Sequence, residues 1–155
     1  MQSAIEHASQ ANSAEGRLWD LAIHFPVPPE RFATYTETVQ VGSLVFLSGK
    51  LATERCTAKF DGRVEAELDT AAGREATWLA PMDAVAIACQ DLCSLDRVRG
   101  IVRPGVSVAT GGDVRDRPKV ADEASEFLQE MFDSDKNPTR LCMETRTFHL
   151  EFPLR

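Results

Sequence analysis

The chain has 155 residues, 43% of them apolar, which suffices for one domain with a real core and is too short for two of ordinary size. A formal charge of -7 and a pI near 5.0 repel a phosphate backbone, so no nucleic-acid partner is expected. No apolar run approaches a membrane span, and Glu6 and His7 among Ala, Ser and Gln do not make a signal peptide, so no membrane partner and a cytoplasmic location are expected.

Residues 1 to about 12 are rich in Ala, Ser, Gln and Asn, with Ile5 the one sizeable apolar side chain, and read as a frayed tail or short helix. Ser13 is suited to cap a short helix in which Leu18, Trp19, Leu21 and Ala22 supply apolar contacts. Pro26, Pro28 and Pro29 then force an extended link, so we divide the chain into residues 1–30, a tail with a short helix, and residues 31–155, the domain proper. Tyr35 to Val41 and Leu44 to Ser48 alternate as two strands joined by a tight turn at Gly42-Ser43. A weaker third strand is expected near Thr57–Phe60.

Asp69 or Thr70 can cap a long helix reaching about Cys93, with Leu79, Met82, Ala86, Cys89 and Cys93 on one stripe. Pro81 should kink that helix or delay its regular start. Val98 to Val108 is β-rich but broken by Pro104-Gly105, which suggests a bulge or an edge strand. After Gly111-Gly112, Asp116 can cap a second helix with Pro118 in its first turn and Val120, Ala124, Phe127, Leu128 and Met131 facing inward. Arg140 to Thr145 and Phe148 to Phe152 close the chain as strands, either a hairpin through Thr145-Arg146-Thr147 or one continuous run. The order β-β-(β)-α-β-α-β-(β) predicts an α+β protein with a mixed sheet and two helices on one face.

Cys56, Cys89, Cys93 and Cys142 have neither metal-type spacing nor a disulfide framework, and His7, His24 and His149 are scattered. Reduced thiols and no metal site are therefore expected.

Two segments carry specific information. Asn137-Pro138-Thr139-Arg140-Leu141-Cys142-Met143-Glu144 places an arginine at the mouth of a strand, with Leu141-Cys142-Met143 reading as pleated interior. Tyr35 to Lys50 reads as strand, turn, strand and a Ser48-Gly49 end. Together these segments resemble the Rid family of YjgF-like reactive-intermediate deaminases, in a subgroup with a longer N-terminus. The resemblance runs from about Tyr35 to Glu151. It implies a chorismate-mutase-like fold and a homotrimer with sites in the clefts between subunits. It further implies that no cofactor is used.

By the same resemblance the family's carboxylate-binding arginine falls on Arg140, the residue offering backbone groups to the ligand on Cys142, the cleft tyrosine on Tyr35, and the Ser-Gly pair on Ser48 and Gly49. Either His149 or Glu151 stands at the acidic position that helps to hold the attacking water, and Glu151 would be the proton acceptor. Leu141 replaces a small polar residue, Lys50 replaces a common glutamine, and the Leu-Pro turn between the last strands is missing.

The implied reaction is hydrolytic deamination of short enamine or imine acids derived from amino acids, giving a 2-oxo acid and ammonia. The alternative is a trimer that binds a small carboxylate or metabolite without deaminase activity. The guanidinium of Arg140 offers a planar fork matched to a carboxylate, but it could equally pair with Glu144 or another surface carboxylate. Cys142 beside that cation is a candidate thiol nucleophile or, more simply, a small packed residue.

Overall fold

Ser13 opens the first described element of the computed structural model, which describes residues 13–25, 34–54, 57–111, 117–132 and 138–145. Its side chain accepts a hydrogen bond from the Gly16 amide at 3.0 Å, the expected cap of helix α1, Ala14–Asp20. Ala14 is buried, and Leu18, Ile23 and Phe25 pack beside it, whereas Trp19 is 82% exposed and Leu21 and Ala22 also face outward. The apolar contacts expected of Trp19, Leu21 and Ala22 are therefore absent within the described chain: a helix of only seven residues turns just one side to the core.

Strands β1, Thr38–Val41, and β2, Leu44–Leu47, pair antiparallel across Gly42, whose φ of 61° is the left-handed conformation that a tight hairpin requires. The ladder begins three residues later than Tyr35, because beyond it Ser48 replaces regular pairing: its amide donates to the Glu37 carbonyl at 2.9 Å and its hydroxyl to the Thr36 carbonyl at 2.7 Å. The third strand shrinks to β4, Thr57–Ala58, paired with a two-residue strand β3, Thr53–Glu54, which is too short to leave a periodic signal.

Helix α2 covers Thr70–Leu92, and Asp69 is its cap, accepting from the Ala72 amide at 2.8 Å. The helix starts on schedule and continues past Pro81. Cys93, expected on the apolar stripe, instead terminates the helix in a left-handed conformation (φ 60°) and is exposed. A 3-10 turn at Leu95–Arg97 follows. The β-rich run then yields strand β5 only from Gly105 to Ala109, because Pro104 lacks the amide that a ladder needs.

Helix α3, Arg117–Phe132, buries Val120, Ala124, Phe127, Leu128 and Met131, the stripe read from its spacing. The proposed Asp116 cap lies outside the described residues. Strand β6, Leu141–Thr145, pairs parallel with β5, from Gly105 opposite Leu141 to Ala109 opposite Thr145. Residues 146–155, including the expected strand Phe148–Phe152, lie outside the described residues.

The architecture is mixed α+β, as the element order implies. Helices α2 and α3 pack on each other; α2 touches β1 and β3, and α3 touches β5 and β6. Their shared core joins Met82, Val85 and Ala88 to Phe127, Leu128 and Met131, with Leu95 and Ala14 closing one end. Trp78 meets Phe127 edge to face at 5.7 Å. Each such large side chain contributes about 1.5 to 3 kcal/mol by leaving water. Gly73 lets α2 approach the second core cluster, since a Cβ there would stand 2.8 Å from Val64 Cγ2. Among the described residues the strands form three separate pairs. Their apolar side chains Val39, Val41, Leu44, Phe46, Leu141 and Met143 are exposed in the single chain. Leu141-Cys142-Met143 is therefore not interior, because nothing among the described residues covers that strand.

Candidate functional site

The turn before β6 delivers Arg140 toward helix α3. Leu141 donates its amide to the Pro104 carbonyl at 3.0 Å, which pins the start of the strand and sets the direction of the residue before it. The Arg140 side chain, 21% exposed, donates from Nη1 to Asp122 Oδ1 at 2.8 Å and to Ser125 Oγ at 3.1 Å. Nη2 reaches the Pro118 carbonyl at a long 3.4 Å, and among the described residues Nε makes no hydrogen bond. The carboxylate partner is thus Asp122 and not Glu144, which accepts from Thr110 Oγ1 at 2.9 Å. Cys142, two residues along β6, is exposed.

Tyr35, Ser48 and Gly49 gather at the other end of the β1–β2 hairpin. Tyr35 is half-buried, with the Lys50 ammonium 5.7 Å from its ring centre. Gly49 is exposed, and a Cβ at that position would meet nothing within 4 Å. Lys50 is ion-paired with Glu37 and only 6% of its side chain is exposed. Below them Asp83, 1% exposed, accepts from the Thr53 hydroxyl at 2.6 Å and the Thr53 amide at 3.2 Å. Burial pushes the Asp83 carboxyl above its ordinary value, against the opposing pull of the Thr53 hydrogen bonds and the Lys50 charge. Asp83 Oδ1 and Glu37 Oε1 are both buried without a hydrogen-bond partner.

The sequence-derived residues thus fall into two groups on separate sheets of one chain: Arg140 and Cys142 on the β5–β6 pair, and Tyr35, Ser48 and Gly49 beside the β1–β2 pair. His149 and Glu151 lie outside the described residues. Sequence reasoning missed Asp122 and Ser125, whose helical spacing fits an ordinary solvated face and carries no sign of a partner at residue 140. It noted Lys50 but not its burial, and it missed Asp83, the one charged residue in the apolar stretch Trp78–Cys89 of helix α2, whose position among Met82, Val85 and Ala86 is itself a signal. Among the described residues no group of three or more His, Cys, Asp and Glu could hold a metal ion. No described helix is long and apolar enough to cross a membrane.

No family model and no curated protein matches the sequence. Solved structures do match. A Shewanella oneidensis MR-1 protein with a provisional endoribonuclease designation superimposes with a TM-score of 0.84 at 24% identity, over 90% of this chain and 92% of that one. An Agrobacterium tumefaciens protein of unknown function gives 0.79 at 20% identity, over 94% and 90%. TdcF of E. coli, solved with bound serine, gives 0.55 at 20% identity, over 79% and 84%. RidA from a Psychrobacter species is similar at 0.50 and 20% identity, over 79% and 83%. The resemblance read from Tyr35–Lys50 and Asn137–Glu144 is therefore borne out at the level of architecture, and the chain has the mixed α+β fold of the Rid proteins.

Proposed function

We propose that the chain is a member of the Rid family, acts in the cytoplasm as a homotrimer, and hydrolyses short enamine or imine acids derived from amino acids. The observation that carries the reading is the Arg140 guanidinium: half-buried, held on one side by helix α3, with its Nε free of hydrogen bonds among the described residues. Such a fork binds a carboxylate in two parallel contacts and stays charged at any physiological pH. The serine bound to TdcF, a protein of the same fold, supports a small carboxylate-bearing ligand here. The exposed apolar side chains of β1, β2 and β6 support assembly, since a monomer would leave Val41, Leu44, Phe46 and Met143 in water. Three copies would bring the Tyr35 group of one chain beside the Arg140 group of the next.

With the carboxylate held, water adds to the imine carbon, the C=N bond becomes a C–N single bond, and the adduct expels ammonia as the C=O bond forms. Backbone groups at Gly49 and Cys142 orient the nitrogen and the water, and Glu151 takes the water's proton and returns it to the nitrogen, which leaves as ammonia. No cofactor is required.

A second reading is a binding trimer without deaminase activity, and one observation favours it: Nη1 of Arg140 is already engaged by Asp122. The two separate when 2-iminopropionate is generated enzymatically and its decay followed. Faster decay with the protein supports the deaminase. No acceleration across larger homologues, together with saturable binding of the corresponding 2-oxo acids, supports the binder.

A further inference from the structure

We infer that Asp122 is a specificity-determining residue of the Arg140 site, which selects ligands bearing a cationic nitrogen next to the carboxylate over plain carboxylates. The inference rests on Arg140 being the carboxylate anchor and concerns what stands beside it. Asp122 uses one oxygen, Oδ1, on Nη1 of Arg140. Among the described residues its other oxygen accepts no hydrogen bond, and the side chain is half exposed. Arg140 mirrors it, with Nη1 shared between Asp122 and Ser125 while Nε is unbonded and Nη2 has only the distant Pro118 carbonyl. A cation with an open donor edge and an anion with an open acceptor thus stand side by side, bonded to each other through their inner atoms.

The charge pattern has a chemical consequence. The pair is neutral before a ligand arrives, so a plain monocarboxylate brings an unbalanced negative charge near Asp122 and is repelled by it. A ligand carrying both a carboxylate and a protonated nitrogen matches both charges. Amino acids and protonated imino acids have that pattern; the 2-oxo acids left by hydrolysis do not. Asp122 would therefore favour the nitrogen-bearing ligand and disfavour the oxo acid. Ser125, buried and donated to by the same Nη1, keeps the guanidinium oriented whether or not Asp122 is charged.

The test is a titration of the full chain with L-alanine and with pyruvate at neutral pH, followed by amide chemical shifts near Arg140. Wild type should bind alanine about fivefold more tightly than pyruvate, the scale of one partly solvated charge contact. Asp122→Asn, which keeps an oxygen acceptor for Nη1, should bring the two affinities together, while Asp122→Glu keeps alanine ahead. Equal affinities in wild type, or a preference that survives Asp122→Asn, overturn the inference and leave Arg140 as anchor untouched. Failure of both ligands to bind, or binding unchanged in Arg140→Ala, overturns the anchor and the inference with it. Should Asp122→Asn not fold, the wild-type comparison and Asp122→Glu still decide.

Discussion

Arg140 and Asp122 lie 18 residues apart on a strand mouth and a helix, and meet through a single Nη1 to Oδ1 contact of 2.8 Å. One contact through one edge of the fork leaves the geometry for a second carboxylate intact, so the ion pair is compatible with the proposed ligand site. A partly exposed pair of this kind adds about 1 kcal/mol or less to folding.

The exposed apolar faces of the hairpin and β6 predict assembly. Light scattering at micromolar concentration should give three chains per particle. Phe46→Asp, which puts a charge on a side chain 58% exposed in the single chain, should shift the particle toward monomer with little loss of helical signal. A stable wild-type monomer would remove the intersubunit site.

Asp83 predicts an inverted pH dependence. Its carboxyl is raised by burial above the ordinary 3.8, so the folded chain holds a proton that the unfolded chain has released. That contribution is complete below pH 3.8 and is lost as pH rises through the elevated folded value. Asp83→Asn, uncharged and still an acceptor for Thr53, should gain stability over wild type as pH rises above 3.8. Urea denaturation measures it; a stability difference that does not change with pH contradicts the assignment. Asp83→Ala, which strands the Thr53 amide and hydroxyl, should cost about 1 to 3 kcal/mol below pH 3.8 and less as pH rises.

Gly73→Ala should destabilise by about 1 to 3 kcal/mol, since its methyl would stand 2.8 Å from Val64 Cγ2 in a packed cluster. Thermal melting tests this, and an unchanged midpoint would mean that the helix can shift freely there.

The net charge of -7 predicts no RNA binding or cleavage at physiological salt, despite the endoribonuclease designation of a similar structure. Cleavage that survives purification and depends on one residue of this chain would contradict it.

Long periodic elements were legible in the sequence. The Asp69 cap, the α3 stripe from Val120 to Met131 and the Gly42 hairpin follow from rules that act within a few residues. What stayed hidden depends on partners distant in sequence. Strand β3 is two residues long, the parallel pairing of β5 with β6 spans a helix, and Asp122 is an unremarkable helix-face acid until Arg140 reaches it. Leu141-Cys142-Met143 looks interior because apolar strands usually are, and within one chain they are exposed.

The central claim is that Arg140 anchors a carboxylate ligand, and the decay of enzymatically generated 2-iminopropionate with wild type, Arg140→Ala, Arg140→Lys and Cys142→Ala tests it most directly. Losing a bidentate, charge-assisted contact in a partly dry cleft removes about 2 to 4 kcal/mol, so Arg140→Ala should hydrolyse about two to three decades more slowly while remaining folded. Arg140→Lys should recover little, since an ammonium cannot reproduce the fork, and Cys142→Ala should stay active. A folded Arg140→Ala with full activity, or a loss confined to Cys142→Ala, would contradict the account.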